Sequence, residues 1–220
     1  MEICPSCMHA VQPLAVGKAL RWRLANGSPT LAVAELVSEM GVSESEARDW
    51  LNHFDSCDGA LPLFPEDSAV LHRIDVEFGV VPRPDHFTDP THCLECADHD
   101  STLLARSREA LRRKDLGSPG WDPVTFCSVE GVAYLMPALA KFALAPDSYA
   151  DREWYGAQLA WHLSYDGVKN PLFAWCSPTQ REAVGKLVQH IAASRSPEID
   201  NAGCTDQFEE AIKVWSGRET

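Results

Sequence analysis

The chain has 220 residues, and its 32 acidic side chains outnumber its 19 basic ones, giving a formal net charge of −13 at pH 7. Nucleic-acid binding needs basic patches that neutralise phosphate, so this charge argues against a nucleic-acid-binding protein. The 45% hydrophobic content supplies a core and excludes a wholly disordered chain. An acidic protein could instead bind a basic protein partner, and the sequence leaves its oligomeric state open.

The N-terminal residues suggest a protein that stays in the cytoplasm. The opening Met-Glu-Ile-Cys-Pro-Ser-Cys has neither the basic region nor the apolar run of a secretory signal. No stretch approaches the roughly 20 apolar residues that span a bilayer. We therefore expect a soluble, cytoplasmic protein, in which eight cysteines favour metal binding or catalysis over disulfides.

Apolar periodicity and capping residues predict a mainly α-helical fold in two parts. Residues 1–60 form a small three-helix module, with helices expected at 14–24, 29–40 and 43–54. Gly41 is placed to end the second helix, and Ser43 with Glu46 forms a capping box for the third. This helix pair resembles a helix-turn-helix, but the acidic third helix is a poor face for a phosphate backbone.

Residues 66–220 are predicted to form a larger helical domain. The expected helices are 66–78, one that starts at Pro90 and runs through a Cys/His group, one that ends near 116, then 128–144, 150–163, 178–194 and 205–215. Ser128 and Ser177 are the expected N-caps of two of them. Residues 124–127 are expected to form a short strand. Asp122 is predicted to lie in a turn and His162 to be a core histidine.

A first metal site is predicted within the N-terminal module. Cys4 and Cys7 form a C-x2-C pair, a spacing that lets two sulfurs bind one tetrahedral zinc ion. His53 and Cys57 are four residues apart near the end of the third helix, so both can face the same ion. A structural zinc ion would stabilise a module whose own core is small.

A second group of candidate ligands is more compact. It consists of His92, Cys93, Cys96 and His99. On one continuous helix, positions 92, 96 and 99 are spaced i, i+4 and i+7 and share a face, which Cys93 borders. His86 or Asp89 could add a ligand from the preceding loop.

Three other interpretations of this second group stay open. The imidazoles could be hydrogen-bonded to carboxylates while both cysteines are packed in the core. The two cysteines could form a redox thiol pair. With only three protein ligands, a metal ion could instead hold a reactive water, with Glu95 or Asp98 as the base.

Two elements of the second part resemble a bacterial domain family of unknown function. The first has the core HFTDPTHCLECADHD, and the second joins GWDPVTF at 120–126 to EGVAYLMPA at 130–138. The resemblance covers about residues 75–200 and implies a bacterial, cytoplasmic, helical domain. It places the shared Cys/His element on His92, Cys93, Cys96 and His99 and implies no activity.

These observations predict a cytoplasmic zinc-binding protein that acts in binding or interaction and whose metal ions are structural. One alternative is a zinc-dependent hydrolase that uses the group at residues 86–99. Another is an acidic protein that neutralises a basic partner, such as a toxin.

Overall fold

The computed structural model describes residues 2–3, 10–11, 29–56, 64–145 and 154–217. The chain divides into two compact units, Met1–Ser68 and Ala69–Thr220. Most of the described residues in both units lie in helices, so the prediction of a mainly α-helical protein is confirmed. Within the described ranges, no helix combines the length and the apolar character needed to cross a membrane.

Besides a turn of 3-10 helix at Pro65–Asp67, the first unit contains two short strands and two α-helices among its described residues. These are β1 (Glu2–Ile3), β2 (Ala10–Val11), α1 (Pro29–Met40) and α2 (Glu44–Ser56). The strands are antiparallel, with Glu2 opposite Val11. Gly41 ends α1 with φ of +65°, and the Ser43 hydroxyl accepts a hydrogen bond from the Glu46 amide in the first turn of α2. The helix predicted at 14–24 lies outside the described residues.

The second unit is a set of helices joined by short connections. Its helices are α3 (Ser68–Phe78), α4 (Leu94–Leu104), α5 (Val129–Leu144), α6 (Tyr155–Ser164), α7 (Pro171–Trp175), α8 (Pro178–Ser194), α9 (Ser196–Ala202) and α10 (Thr205–Trp215). Further turns of 3-10 helix lie at Arg108–Ala110, Arg113–Leu116, Pro123–Phe126 and Gly167–Lys169. The predicted caps Ser128 and Ser177 each accept a backbone hydrogen bond in the first turn of their helices.

Helix α5 lies at the centre of this unit, and 12 of its 16 residues are buried. Helix α10 packs against α6 and α8. The Trp215 indole of α10 donates a hydrogen bond to the Leu163 carbonyl of α6 at 2.8 Å. The buried Arg195 guanidinium donates to the Leu144 carbonyl at the C-terminal end of α5. These contacts fix the ends of the helices that surround α5.

The start of α4 differs from the prediction. The helix begins at Leu94 rather than Pro90 because residues 89–92 form a turn. In that turn, the Asp89 carboxylate accepts hydrogen bonds from the amide and hydroxyl of Thr91, and the His92 amide donates to the Asp89 carbonyl. An aspartate that bonds the backbone two residues on competes with helix formation, so the helix starts later.

The strand predicted at residues 124–127 is wrong. Pro123–Phe126 is a turn of 3-10 helix, whose N-cap Asp122 accepts a hydrogen bond from the Val124 amide at 2.9 Å. Proline at the first position and a capping aspartate before it start a helical turn, and they outweigh the strand preference of the β-branched residues that follow.

Candidate metal centre

The N-terminus of α4 brings three candidate ligands together. Cys93 is the N-cap, with extended backbone, and its sulfur accepts a hydrogen bond from the Cys96 amide at 3.4 Å. The turn at residues 89–92 holds His92 immediately before this cap. A histidine in the turn, a cysteine at the cap and a cysteine in the first helical turn therefore converge on one point.

The separations between these atoms are close to those around a single metal ion. The two sulfur atoms of Cys93 and Cys96 lie 3.3 Å apart, and Nδ1 of His92 lies 3.4 Å from the Cys96 sulfur. All three ligand atoms lie within 4.8 Å of one another. A tetrahedral zinc ion with Zn–S bonds of about 2.3 Å and Zn–N bonds of about 2.0 Å needs edges of about 3.8 Å and about 3.5 Å. The group therefore fits one metal ion with small side-chain adjustments.

The two thiols of this group have opposite environments. Cys93 is exposed, and the hydrogen bond from the Cys96 amide, together with those from the Cys96 thiol and His92, lowers its pKa. Cys96 is buried, and burial together with the neighbouring Cys93 raises its pKa to about 11. The outer thiol is consequently the more easily ionised and the more accessible of the two.

The structure does not bring His99 into this group. Its ring is buried, stacked on Phe126 with centroids 5.4 Å apart and tilted against Trp121 at 4.9 Å. Nε2 of His99 lies 3.5 Å from a Glu95 carboxylate oxygen, and it has no hydrogen-bond partner among the described residues. The predicted i, i+4, i+7 face required a helix that includes His92, and α4 starts two residues after it.

His86 is held by a buried carboxylate rather than by the Cys/His group. Its Nδ1 lies 2.6 Å from Oδ2 of Asp100, and the pair raises the pKa of His86. Asp100 also accepts hydrogen bonds from the Phe87 and Thr88 amides. Burial acts to raise the pKa of Asp100, but the hydrogen bonds from His86, Thr88 and Phe87 outweigh it and leave that pKa below its ordinary value.

Asp100 also helps to position the candidate metal group indirectly, through Thr88. The Thr88 hydroxyl, next to one of the amides that Asp100 binds, donates to the Cys96 carbonyl at 2.6 Å. The loop before the turn is thereby fastened to the same helical turn that carries Cys96. Such outer contacts hold metal-binding side chains in place.

The first predicted cluster lies beyond what the structure describes. Cys4, Cys7 and Cys57 are outside the described residues, as is the side chain of His53. That zinc site stays a prediction.

The structure also places a second polar cluster that sequence reasoning missed. Oδ2 of the buried Asp122 lies 2.7 Å from Nε2 of His162 and accepts a hydrogen bond from Gln158 at 3.2 Å. Gln158 in turn accepts one from Arg113 at 2.7 Å. Gln158 and His162 are one turn apart on α6, and this spacing was the only local signal for a shared partner.

His162 borders a cavity of about 390 Å³ between α5, α6, α7 and the 3-10 helix Pro123–Phe126. The lining is mostly apolar and includes Val132, Met136 and Leu159. The Cys127 thiol lines it as well, and burial with the nearby Asp122 raises the pKa of that thiol. Cys127 therefore stays a neutral thiol at physiological pH.

The fold and the site together define a mainly α-helical protein with a His–Cys–Cys group that could hold a metal ion. No protein-family model, no curated protein and no solved structure matches the chain. The resemblance of residues 75–200 to a bacterial domain family therefore stays a prediction.

Proposed function

We propose that the protein binds zinc through Nδ1 of His92 and the sulfurs of Cys93 and Cys96. The observation that carries this proposal is the convergence of three ligand atoms within 4.8 Å. Among the common divalent ions, zinc is well suited to a site made of two thiolates and one imidazole. Zinc bound there would join the turn at residues 89–92 to the first turn of α4.

Three protein ligands leave one tetrahedral position for another donor. His92 and Cys93 are exposed, so a water molecule or a side chain from a partner protein can reach this position. We infer that the zinc supports binding or interaction, in keeping with the acidic chain and its potential for a basic partner. Cys4, Cys7, His53 and Cys57 carry a separate proposal for a second, structural zinc.

Metal content of single-site variants tests the proposal. Purified full-length protein loaded with zinc, then desalted, should lose about one zinc per chain when Cys96 is replaced by Ser, because a buried thiolate ligand is removed. Cys127→Ser is the matched control, since that thiol lies in the apolar cavity and should keep the full zinc content. A Cys4→Ser, Cys7→Ser double variant separates the N-terminal ligands from this site.

Cobalt(II) gives a second readout of the same ligands. Cobalt bound by thiolates produces strong charge-transfer absorption, which should fall in the Cys93→Ser and Cys96→Ser variants and persist in Cys127→Ser. If neither variant changed the zinc content or the cobalt spectrum, these cysteines would not be ligands and the proposal would be wrong.

The environments of the two thiols favour one second candidate function, a dithiol that cycles with a disulfide. An exposed thiol of lowered pKa before a buried thiol of raised pKa is the arrangement in which the outer sulfur attacks and the inner one resolves. The outer thiolate would attack an external disulfide and release one thiol. The inner sulfur would then displace the second thiol and close the Cys93–Cys96 disulfide.

Incubation with oxidised glutathione separates the two candidates. A redox pair should form the internal disulfide in metal-free protein at a measurable potential and reopen with reduced glutathione. A zinc site should resist this oxidation when zinc is bound and should require chelation first. Peptide mapping by mass spectrometry reports which cysteines are joined.

A further inference from the structure

The cavity beside His162 has the size and character of a small-molecule site. Its volume of about 390 Å³ lies within the roughly 300–1,000 Å³ of ligand pockets. The apolar part of its wall comes from four elements, with Val124 from the 3-10 helix, Val132 and Met136 from α5, Leu159 and Leu163 from α6, and Leu172 from α7. Such a wall favours an uncharged, mainly apolar occupant.

The contacts of His162 determine its tautomer. The Asp122 carboxylate can only accept a hydrogen bond, so Nε2 of His162 carries the proton and donates to it. In the neutral imidazole, Nδ1 is therefore an acceptor. Nδ1 has no hydrogen-bond partner among the described residues, and the side chain is only 11% exposed.

Asp122 is held firmly enough to keep this ring in place. It accepts hydrogen bonds from the Val124 amide and from Gln158 in addition to His162. Asn170, also in the wall, uses its side-chain amide for hydrogen bonds to the backbone. The amide nitrogen donates to the carbonyls of His162 and Tyr165, and the amide oxygen accepts from two backbone amides of α7. His162 therefore contributes to a mostly apolar wall a ring whose Nδ1 has no hydrogen-bond partner among the described residues.

Exposed aromatic rings border the same cavity. Trp161 and Tyr165 are 44% and 56% exposed, and their ring centroids lie 5.4 Å apart. The Trp161 and His162 rings also pack edge to face, with their centroids 5.0 Å apart. Large exposed aromatic side chains beside a cavity provide flat surfaces for a planar ligand.

We propose that this cavity binds a small, mainly apolar molecule whose hydroxyl group donates a hydrogen bond to Nδ1 of His162, such as a phenol. In the neutral form of the ring, Nδ1 has a free lone pair and needs a hydrogen-bond donor from the ligand. A carboxylate ligand is disfavoured, because it would bring an acceptor to Nδ1 and a second negative charge towards Asp122.

Two isosteric probes test this proposal on the full-length protein. 4-Methylphenol and 1,4-dimethylbenzene differ only by a hydroxyl in place of a methyl group, and calorimetric titration gives a Kd for each. The ratio of the two affinities should favour the phenol in the natural protein. His162→Phe removes the acceptor, and this preference should then fall by roughly three- to tenfold, as expected for one hydrogen bond.

Val132→Phe keeps the Asp122–His162 pair but fills the cavity, and it serves as the second variant in case His162→Phe fails to fold. It should abolish binding of both probes while the helical circular dichroism is retained. Three results would overturn the proposal: neither probe binds the natural protein, the preference for the phenol survives in a folded His162→Phe, or both affinities are unchanged in Val132→Phe.

Discussion

His162 and Asp122 are 40 residues apart in the chain, and Nε2 of the imidazole lies 2.7 Å from the carboxylate. This pair ties α6 to the 3-10 helix Pro123–Phe126. The same short helix carries Phe126, which stacks on His99 of α4. One turn of 3-10 helix therefore contacts both the helix of the candidate metal group and the cavity.

Replacement of Asp122 by Ala should lower the free energy of unfolding by about 2–4 kcal/mol, because the Val124 amide and the His162 and Gln158 side chains all lose their acceptor. Urea unfolding measures the change. Asp75→Ala removes an exposed carboxylate from α3 and is the control, expected to shift stability by at most about 0.5 kcal/mol. Equal effects of the two substitutions would show that the buried network contributes little.

His99 and His92 should differ sharply in their effect on zinc binding. His92→Ala removes a proposed ligand and should weaken binding by roughly tenfold or more, whereas His99→Phe should leave it within about threefold. Phenylalanine can keep the stacking with Trp121 and Phe126 and has no buried nitrogen without a partner. Competition with a colour-forming chelator measures both affinities. Loss of zinc in His99→Phe would restore the prediction that His99 is a ligand.

Alkylation of the metal-free protein should modify Cys93 before Cys96, Cys176 and Cys204. Cys93 is exposed and its pKa is lowered, whereas the other three are buried and burial raises their pKa values. Timed iodoacetamide labelling with peptide mass mapping measures each rate. Zinc should protect Cys93, and labelling at an unchanged rate in the presence of zinc would argue against its role as a ligand.

The His86–Asp100 pair predicts a pH range of maximal stabilisation. The lowered pKa of Asp100 gives a contribution that is present above its ordinary value of 3.8 and is lost as the pH falls through the folded-state value. The raised pKa of His86 gives a contribution that is full below its ordinary value of 6.5 and is lost as the pH rises through its own folded-state value. Both contributions to the stability of the fold are therefore fully present between pH 3.8 and pH 6.5.

His86→Gln should remove the loss of stability at alkaline pH. It should keep the loss of stability at acid pH, because Asp100 still accepts hydrogen bonds from the Phe87 and Thr88 amides. Urea unfolding at about pH 5 and about pH 8.5 compares the variant with the natural protein. His72→Gln is the control, since His72 is another exposed histidine of the same unit. An identical alkaline loss in His86→Gln would assign that loss to other groups.

Gly185 allows close packing of α8 against α10, because a Cβ atom there would lie 2.6 Å from the Trp215 carbonyl oxygen. Alanine inside a helix usually stabilises by about 1 kcal/mol relative to glycine. Here Gly185→Ala should instead destabilise by about 1–3 kcal/mol, since the backbone of α10 must move. Gly120→Ala, with no atom near the added Cβ, should change the melting temperature little. A stabilised Gly185→Ala would contradict the close approach.

Much of the helical pattern could be predicted because its signals are local. Ser128 and Ser177 cap the helices that they were expected to cap, and α10 covers residues 205–215 as predicted. The start of α4 was missed because Asp89 and Thr91 close a turn that competes with the helix. The Asp122 cap and Pro123 likewise produce a 3-10 helix where a strand was expected.

Local signals predicted the helical class and grouped His92, Cys93 and Cys96 together with His99, because caps, periodicity and short spacings depend on near neighbours in the chain. No local signal indicated that His99 turns inward between two aromatic rings or that His162 meets Asp122 at a cavity. Those positions result from packing between segments that are far apart in the chain, where no fixed spacing links the partners.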